Sequence, residues 1–237
     1  MTYQDKVVIV TGASNGIGAS VAKAYHEQGA RVVSLDIQPS HNDWQHITVD
    51  LSDEQQVINA FQAVTQQYGA IHILINNGAI TTSSRSILEV STSEFAKVID
   101  VNLNGAFTCS REFVRANQGE SFGRIINISS TRWQQNEFGW DAYGASKGGL
   151  VSLTHSLVNS LSHTPITINT ISPGWIETSD YDALRKEDHA QHPSGRVGKP
   201  QDIVNACLFL THSDNDFING ANISIDGGMT KRMIYQD

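Results

Sequence analysis

The chain has 237 residues, 39% of them hydrophobic, with 19 Gly and only 5 Pro; this suits one large α/β domain or two small ones and is too apolar for disorder. A formal net charge of −8 argues against a nucleic-acid or anionic-membrane surface. Cys109 and Cys207 form no tight framework and no apolar run reaches ~18 residues, so neither a disulfide scaffold nor a membrane span is expected, and a reducing cytoplasm is the default location. The nine His residues lack metal-ligand spacing. His189 and His192 lie close together without a third ligand, so they read as part of a solvated loop and no metal is expected. The segment before residue 7 has no basic stretch ahead of an apolar core, and no targeting segment is expected.

Residues 6–10 are a short β-branched run that reads as a buried strand. Thr11-Gly12-Ala13-Ser14-Asn15-Gly16-Ile17-Gly18 follows, then a helical stretch to Gln28 stopped by Gly29. Strand, glycine turn and helix form the opening of a βαβ nucleotide-binding unit: glycines let the backbone approach a pyrophosphate, and the helix start offers free N–H groups. A structural turn uses the same glycines for positive φ, so the turn alone does not decide. Residues 30–35 form a second strand ended by Asp36. Asp36 lies 18 residues beyond Gly18, near the ~20 expected of an acid that accepts hydrogen bonds from an adenosine ribose. Its charge would repel a 2′-phosphate, and neither the turn nor Ile37-Gln38 holds a basic residue, which favours NAD over NADP. The alternative is a surface Asp at a strand end.

The third strand, 46–49, follows a stretch with Pro39, Asn42 and Asp43 that is too short for the usual crossover helix. Asp50-Leu51 comes next, and Ser52 to Gln55 reads as an N-cap with a capping box opening a helix to Tyr68. A fourth strand, 71–75, ends in Asn76-Asn77-Gly78-Ala79. Ser91 to Glu94 begins a long helix with Asn102 inside it; Asn is a mediocre helix former, so its side chain is expected to bond backbone or water. The fifth strand, 123–128, ends at Ser129-Ser130. Tyr143 and Lys147 open the next helix four residues apart, where Cβ atoms lie about 5–6 Å apart on one face. A cation there would lower the pKa of the phenol and fit it for proton exchange with an alcohol or carbonyl. Tyr-x-x-x-Lys alone is more often an ordinary amphipathic pair. That helix carries an apolar stripe of Leu150, Leu153, Leu157, Val158 and Leu161. A sixth strand, 166–171, leads to Pro173-Gly174, a polar stretch over 179–198 reads as a mobile loop, Pro200 starts another helix, and a last strand spans 222–226. The alternation predicts a single doubly wound α/β domain with about seven parallel strands and helices on both faces. Ligands then bind outside the carboxyl ends of the strands, where Gly12, Asp36, Asp50, Asn77, Ser130 and Pro173 all fall.

In order, the Thr11–Gly18 turn, Asn76-Asn77, Asn102, the 126–130 strand end, Tyr143-Gly-Ala-Ser-Lys147, the 173–178 segment and Asp226-Gly-Gly228 resemble the short-chain dehydrogenase/reductase family over essentially the whole chain. The resemblance implies a Rossmann-type fold and roles for these residues. Tyr143 is the acid/base, Lys147 lowers its pKa and bonds the nicotinamide ribose, Ser130 polarises the substrate oxygen, and Asn102 anchors a water that relays protons from Lys147. Gly12, Ser14, Asn15, Gly16, Ile17, Gly18, Asp36, Asp50, Leu51, Asn77, Gly78, Ala79, Pro173, Gly174, Ile176 and Thr178 bind the dinucleotide with Tyr143 and Lys147. Two departures stand out: the family usually reads Asn-Asn-Ala-Gly where this chain has Asn76-Asn77-Gly78-Ala79, and the segment between Asp36 and Asp50 is short.

The loop 131–142 would border the substrate through Arg132, Trp133 and Trp140, with Ser130 beside them and Trp175 opening a lid over 175–198. Flat aromatics with hydrogen-bonding groups suit a small sugar, polyol or hydroxy acid. The expected function is NAD(H)-dependent interconversion of a secondary alcohol and a ketone; the alternative is a dinucleotide-binding protein with a non-redox or regulatory role. The family forms homotetramers by pairing the helix containing Asn102 and the helix following Tyr143, so a homotetramer or homodimer is expected, with the apolar end of the 229–237 tail free to pack on a neighbour.

Overall fold

The computed structural model describes residues 2–40, 42–81 and 84–233; residues 234–237, the apolar end of the tail, lie outside them. The β-branched opening run forms β1 (Val7–Thr11), buried throughout. It pairs in parallel with β2 (Arg31–Asp36) on one side and β4 (Ile73–Asn76) on the other. With β3 (Gln45–Thr48), β5 (Gly123–Ile128), β6 (Ile166–Pro173) and β7 (Asn222–Ile225), the sheet runs β3-β2-β1-β4-β5-β6-β7, parallel at every pairing. The order reverses beside β1, and an open parallel sheet leaves a crevice at such a reversal.

Side-chain alternation divides β1 between two cores. Val8 and Val10 pack with α1 (Gly16–Glu27) and α7 (Pro200–Thr211), through Val21, Tyr25, Ile203 and Leu210. Val7 and Ile9 pack with α2 (Glu54–Tyr68) and the helix carrying Phe113, through Phe61 and Val64. Burying both faces explains why the central strands read as continuous apolar runs. Cys109 and Cys207 fall in different cores, and burial pushes each thiol up to about 12.

Three local expectations change. Asp53, not Ser52, caps α2: its carboxylate accepts from the N–H groups of Gln55 and Gln56 at 3.0 and 3.1 Å, while Ser52 turns back to Asp50. The long helix after the Ser91–Glu94 capping box is three pieces, α3 (Thr92–Ile99), a π-turn (Asp100–Asn104) and α4 (Gly105–Ala116). His192 is buried at 3% exposure instead of sitting in a solvated loop, because Ser194 N–H donates to the Gly227 carbonyl and draws that segment under the turn after β7. Both its ring nitrogens lack a partner among the described residues.

Candidate active site

All seven strands point their carboxyl ends to one rim, and a cleft of about 810 Å³ opens there. One wall is the turn after β1. Gly12 and Gly16 adopt φ of +64° and +57°, which L side chains rarely take. A Cβ on Gly12 would lie 2.6 Å from Gly78 Cα, so the turns after β1 and β4 are in direct contact. Thr11 Oγ1 accepts from Asn77 N and Gly78 N at 3.0 and 2.9 Å, and Asn77 Nδ2 donates to the carbonyls of Thr11 and Gly12 at 3.1 and 2.9 Å. Asn77 thus acts as the rivet between the two turns. Gly18 has no room for a side chain against the Gly12 carbonyl, and Ser14 Oγ donates to the Gln38 carbonyl at 2.8 Å; both shape the turn from behind instead of lining the cleft. Helix α1 starts at Gly16 with no side-chain cap, leaving its first amides for an anion.

Asp36 lines the same cleft, its two oxygens accepting from Ser14 N and Gln38 N at 2.9 Å each. Those bonds aim a carboxylate whose remaining lone pairs can accept ribose hydroxyls. Asp50, Leu51, Gly78 and Ala79 continue the lining toward the π-turn, and Pro173, Gly174, Ile176 and Thr178 close the far side. Glycine turn, uncapped helix start and ribose acid fit a nicotinamide dinucleotide.

Helix α5 (Asp141–Ser160) carries Tyr143 and Lys147 into the cleft, where Ser130 meets them from the end of β5. Lys147 is 2% exposed, and its Nζ donates to the Ile128 carbonyl at 2.8 Å. Burial draws the ammonium down to about 8. Tyr143 moves the other way: burial raises its phenol, while hydrogen bonding to Ser130 and the charge of Arg132 oppose the rise. Lys147 Nζ lies 5.4 Å from the Tyr143 ring centre and is bonded to the Ile128 carbonyl.

Asn102 sits in the π-turn, 1% exposed. Its Oδ1 accepts from Ile80 N at 2.8 Å, and its Nδ2 donates to Ile80 O and Ser146 Oγ at 2.9 and 3.0 Å. The side chain bonds backbone, as its place inside a helix suggested. It reaches α5 through Ser146. Ser146 and the Thr11 clamp were not singled out from the sequence; both lie inside recognised motifs, but only their tertiary partners reveal what they do.

In the loop ahead of α5, the Arg132 guanidinium stacks 4.2 Å over Trp140, whose ring meets Tyr143 edge-on at 5.8 Å. Trp133 is partly exposed in a short 3-10 turn after Ser130, and Trp175 packs against His192 with ring centres 6.2 Å apart. None of these four side chains lines the cleft described above. The 175–198 segment is closed at its base, where Glu177 N donates to Gly198 O and Gly198 N to Trp175 O, at 3.0 and 3.1 Å.

The family profile described as enoyl-(acyl carrier protein) reductase matches residues 12–230. An uncharacterized oxidoreductase of Thermotoga maritima is 42% identical, with 99% of both chains covered. The 3-oxoacyl-(acyl-carrier-protein) reductase of Vibrio cholerae is 30% identical over 97% of this chain and 99% of its own. Among solved structures, the ligand-free aldohexose dehydrogenase of Thermoplasma acidophilum superposes with a TM-score of 0.92 at 30% identity, covering 99% of this chain and 97% of that one.

Proposed function

The chain belongs to the short-chain dehydrogenase/reductase family, and from that premise we propose that it is an NAD(H)-dependent oxidoreductase interconverting a secondary alcohol and a ketone on a small polar substrate. The observation that carries the reading is the meeting of Ser130, Tyr143 and Lys147 at a cleft that also holds Asp36. A bound nicotinamide dinucleotide would take up or supply the hydride. Tyr143 holds the proton that must leave the alcohol oxygen, or returns it to the ketone oxygen. The Ser130 hydroxyl orients that oxygen and donates to it as negative charge develops. Lys147, with donors to spare beyond Ile128, fixes the ribose end of the nucleotide.

NAD is proposed over NADP because Asp36 presents a carboxylate to the ribose and Ile37-Gln38 bring no cation to a 2′-phosphate. The similarity to an aldohexose dehydrogenase supports a sugar, polyol or hydroxy acid, and so does the polar and aromatic loop 131–142, which adjoins the cleft between Ser130 and Tyr143 although Arg132, Trp133 and Trp140 do not line it. The second reading is ketone reduction on an acyl-carrier thioester, favoured by the Vibrio cholerae relative. We place the protein in the cytoplasm as a homotetramer or homodimer; among the described residues no helix is long and apolar enough to cross a membrane. The single domain with a lid at 175–198 is part of the same reading.

A dehydrogenase panel of aldohexoses, polyols and hydroxy acids with NAD tests it. Turnover is expected on at least one class, and Tyr143→Phe is expected to lower it by about 10²–10⁴-fold while leaving NADH binding in place. NADH should bind at least about tenfold tighter than NADPH, and Asp36→Asn should narrow that gap. NADH binding without turnover on any alcohol or ketone would turn the reading toward a regulatory or non-redox role.

A further inference from the structure

The loop ahead of Tyr143 builds a charged frame around the phenol. Arg132 N–H donates to Ser130 Oγ at 3.3 Å, its guanidinium stacks on Trp140, and Trp140 rests edge-on against Tyr143. Arg132 Nη2 donates to Glu137 Oε2 at 2.9 Å, while its Nη1 is buried and without a partner among the described residues. The two members of this pair differ sharply in burial, with side-chain exposures of 20% for Arg132 and 73% for Glu137. An ion pair with so exposed an acid is weak and screened by salt. A guanidinium stacked on a ring that itself meets Tyr143 is shielded from water on one face and is screened less. Arg132 is therefore held by Trp140 more than by Glu137.

We propose that Arg132 is a positioning residue for proton transfer at Tyr143: clamped on Trp140, its cation favours the phenolate, and Glu137 is the counter-charge that sets how strongly. The proposal rests on the reading of Tyr143 as the acid/base. Among the described residues, the other charged groups on the first turns of α5 or lining the cleft with Tyr143 are Asp141, Lys147, Lys97 of α3, Asp36 and Asp50. Lys147 Nζ is turned to the Ile128 carbonyl at 2.8 Å, whereas the Arg132 guanidinium is stacked on the ring that meets Tyr143 edge-on. The charge of Arg132 is among the contributions that lower the phenol, after hydrogen bonding to Ser130.

The test reads the phenol itself. The chain has six tyrosines; with each carrying ¹³C at Cζ, Tyr143 is assigned by its loss in Tyr143→Phe. Arg132→Gln is expected to move the Tyr143 midpoint up by at least about half a unit, and Glu137→Gln to move it down. Each unit changes the phenolate fraction below the midpoint about tenfold. Arg132→Lys, which keeps the charge but not the planar stack, should fall between wild type and Arg132→Gln. A distorted loop would move both variants the same way, and Glu137 is exposed enough for its substitution to leave the fold intact. Midpoints unmoved, moved together, or unreachable in every variant overturn the proposal. Failure of the acid/base reading would show separately, as turnover that survives Tyr143→Phe.

Discussion

Lys147 carries an ammonium to a position where it is only 2% exposed, and the cost appears as the fall of its pKa from 10.5 to about 8. The folded protein releases this proton more readily than the unfolded chain, so the shift disfavours folding while both states are protonated. From about pH 8 to 10.5 the unfolded chain holds one proton more than the folded one, and stability rises with pH across that window. Lys147→Met is therefore expected to raise the stability of the nucleotide-free protein at neutral pH by about 2 kcal/mol, after allowance for the Ile128 carbonyl it leaves unpaired. The advantage should shrink as pH climbs toward 10.5, while turnover is lost at every pH. Urea unfolding of both proteins at several pH values checks this; a gap independent of pH would remove the desolvation argument. The pairing of Tyr143 with Lys147 was legible in the sequence because a helix fixes the i, i+4 geometry. The direction of the pKa shifts was not legible, because burial depends on strands and loops far away in the chain. His192 is the same case: its surroundings are set by a turn after β7 that local polarity cannot reveal.

Among the elements, the junction of β1, β4 and the β3–α2 loop shows how one sequence departure works. Gly78 has no positive φ to serve; it serves space. A Cβ there would meet Leu51 Cδ1 at 2.5 Å and Gly12 N and Thr11 Oγ1 at 3.2 Å, while the neighbouring Ala79 is exposed at the cleft. The exchanged order Gly78-Ala79 thus puts the missing Cβ where Leu51 crowds. Gly78→Ala is expected to destabilise by about 1–3 kcal/mol through overpacking. Leu51→Ala in the same chain should recover at least about 0.5 kcal/mol of that loss as a coupling energy. A double-mutant cycle by denaturant unfolding measures it, and strict additivity would mean that Leu51 is not the obstacle. The exchange itself was visible in the sequence, but its reason required packing between segments 27 residues apart. The long helix around Asn102 was likewise legible as helix. Its π-turn was not, since no local propensity announces an inserted residue that lets a side chain reach Ile80 and Ser146.

For the whole molecule, the open question of assembly has a specific surface. Phe107, Val114, Leu157 and Leu161 line an apolar hollow between α4 and α5, with Phe107 44% exposed. Arg111 and Arg115 border it, and an assembly that places this patch against its own copy would bring like charges together. Their ion pairs soften that conflict: Glu112, 5% exposed, accepts from Arg111 Nε and Arg115 Nη1 at 2.8 and 2.7 Å, and Glu54 accepts from Arg111 Nη1 at 2.8 Å. A neutralised rim around an apolar centre suits a two-fold interface, in which the same patch serves both partners. The expected solution mass is a two- or four-fold multiple of 25.9 kDa. Phe107→Asp with Leu157→Asp should split the contact by burying charge against charge, while NADH affinity stays, because neither side chain lines the cleft. Light scattering coupled to gel filtration reads the mass and fluorescence titration reads the binding. A wild-type chain that runs as a monomer at micromolar concentration, or a double variant that keeps its assembly, would move the interface elsewhere on the surface.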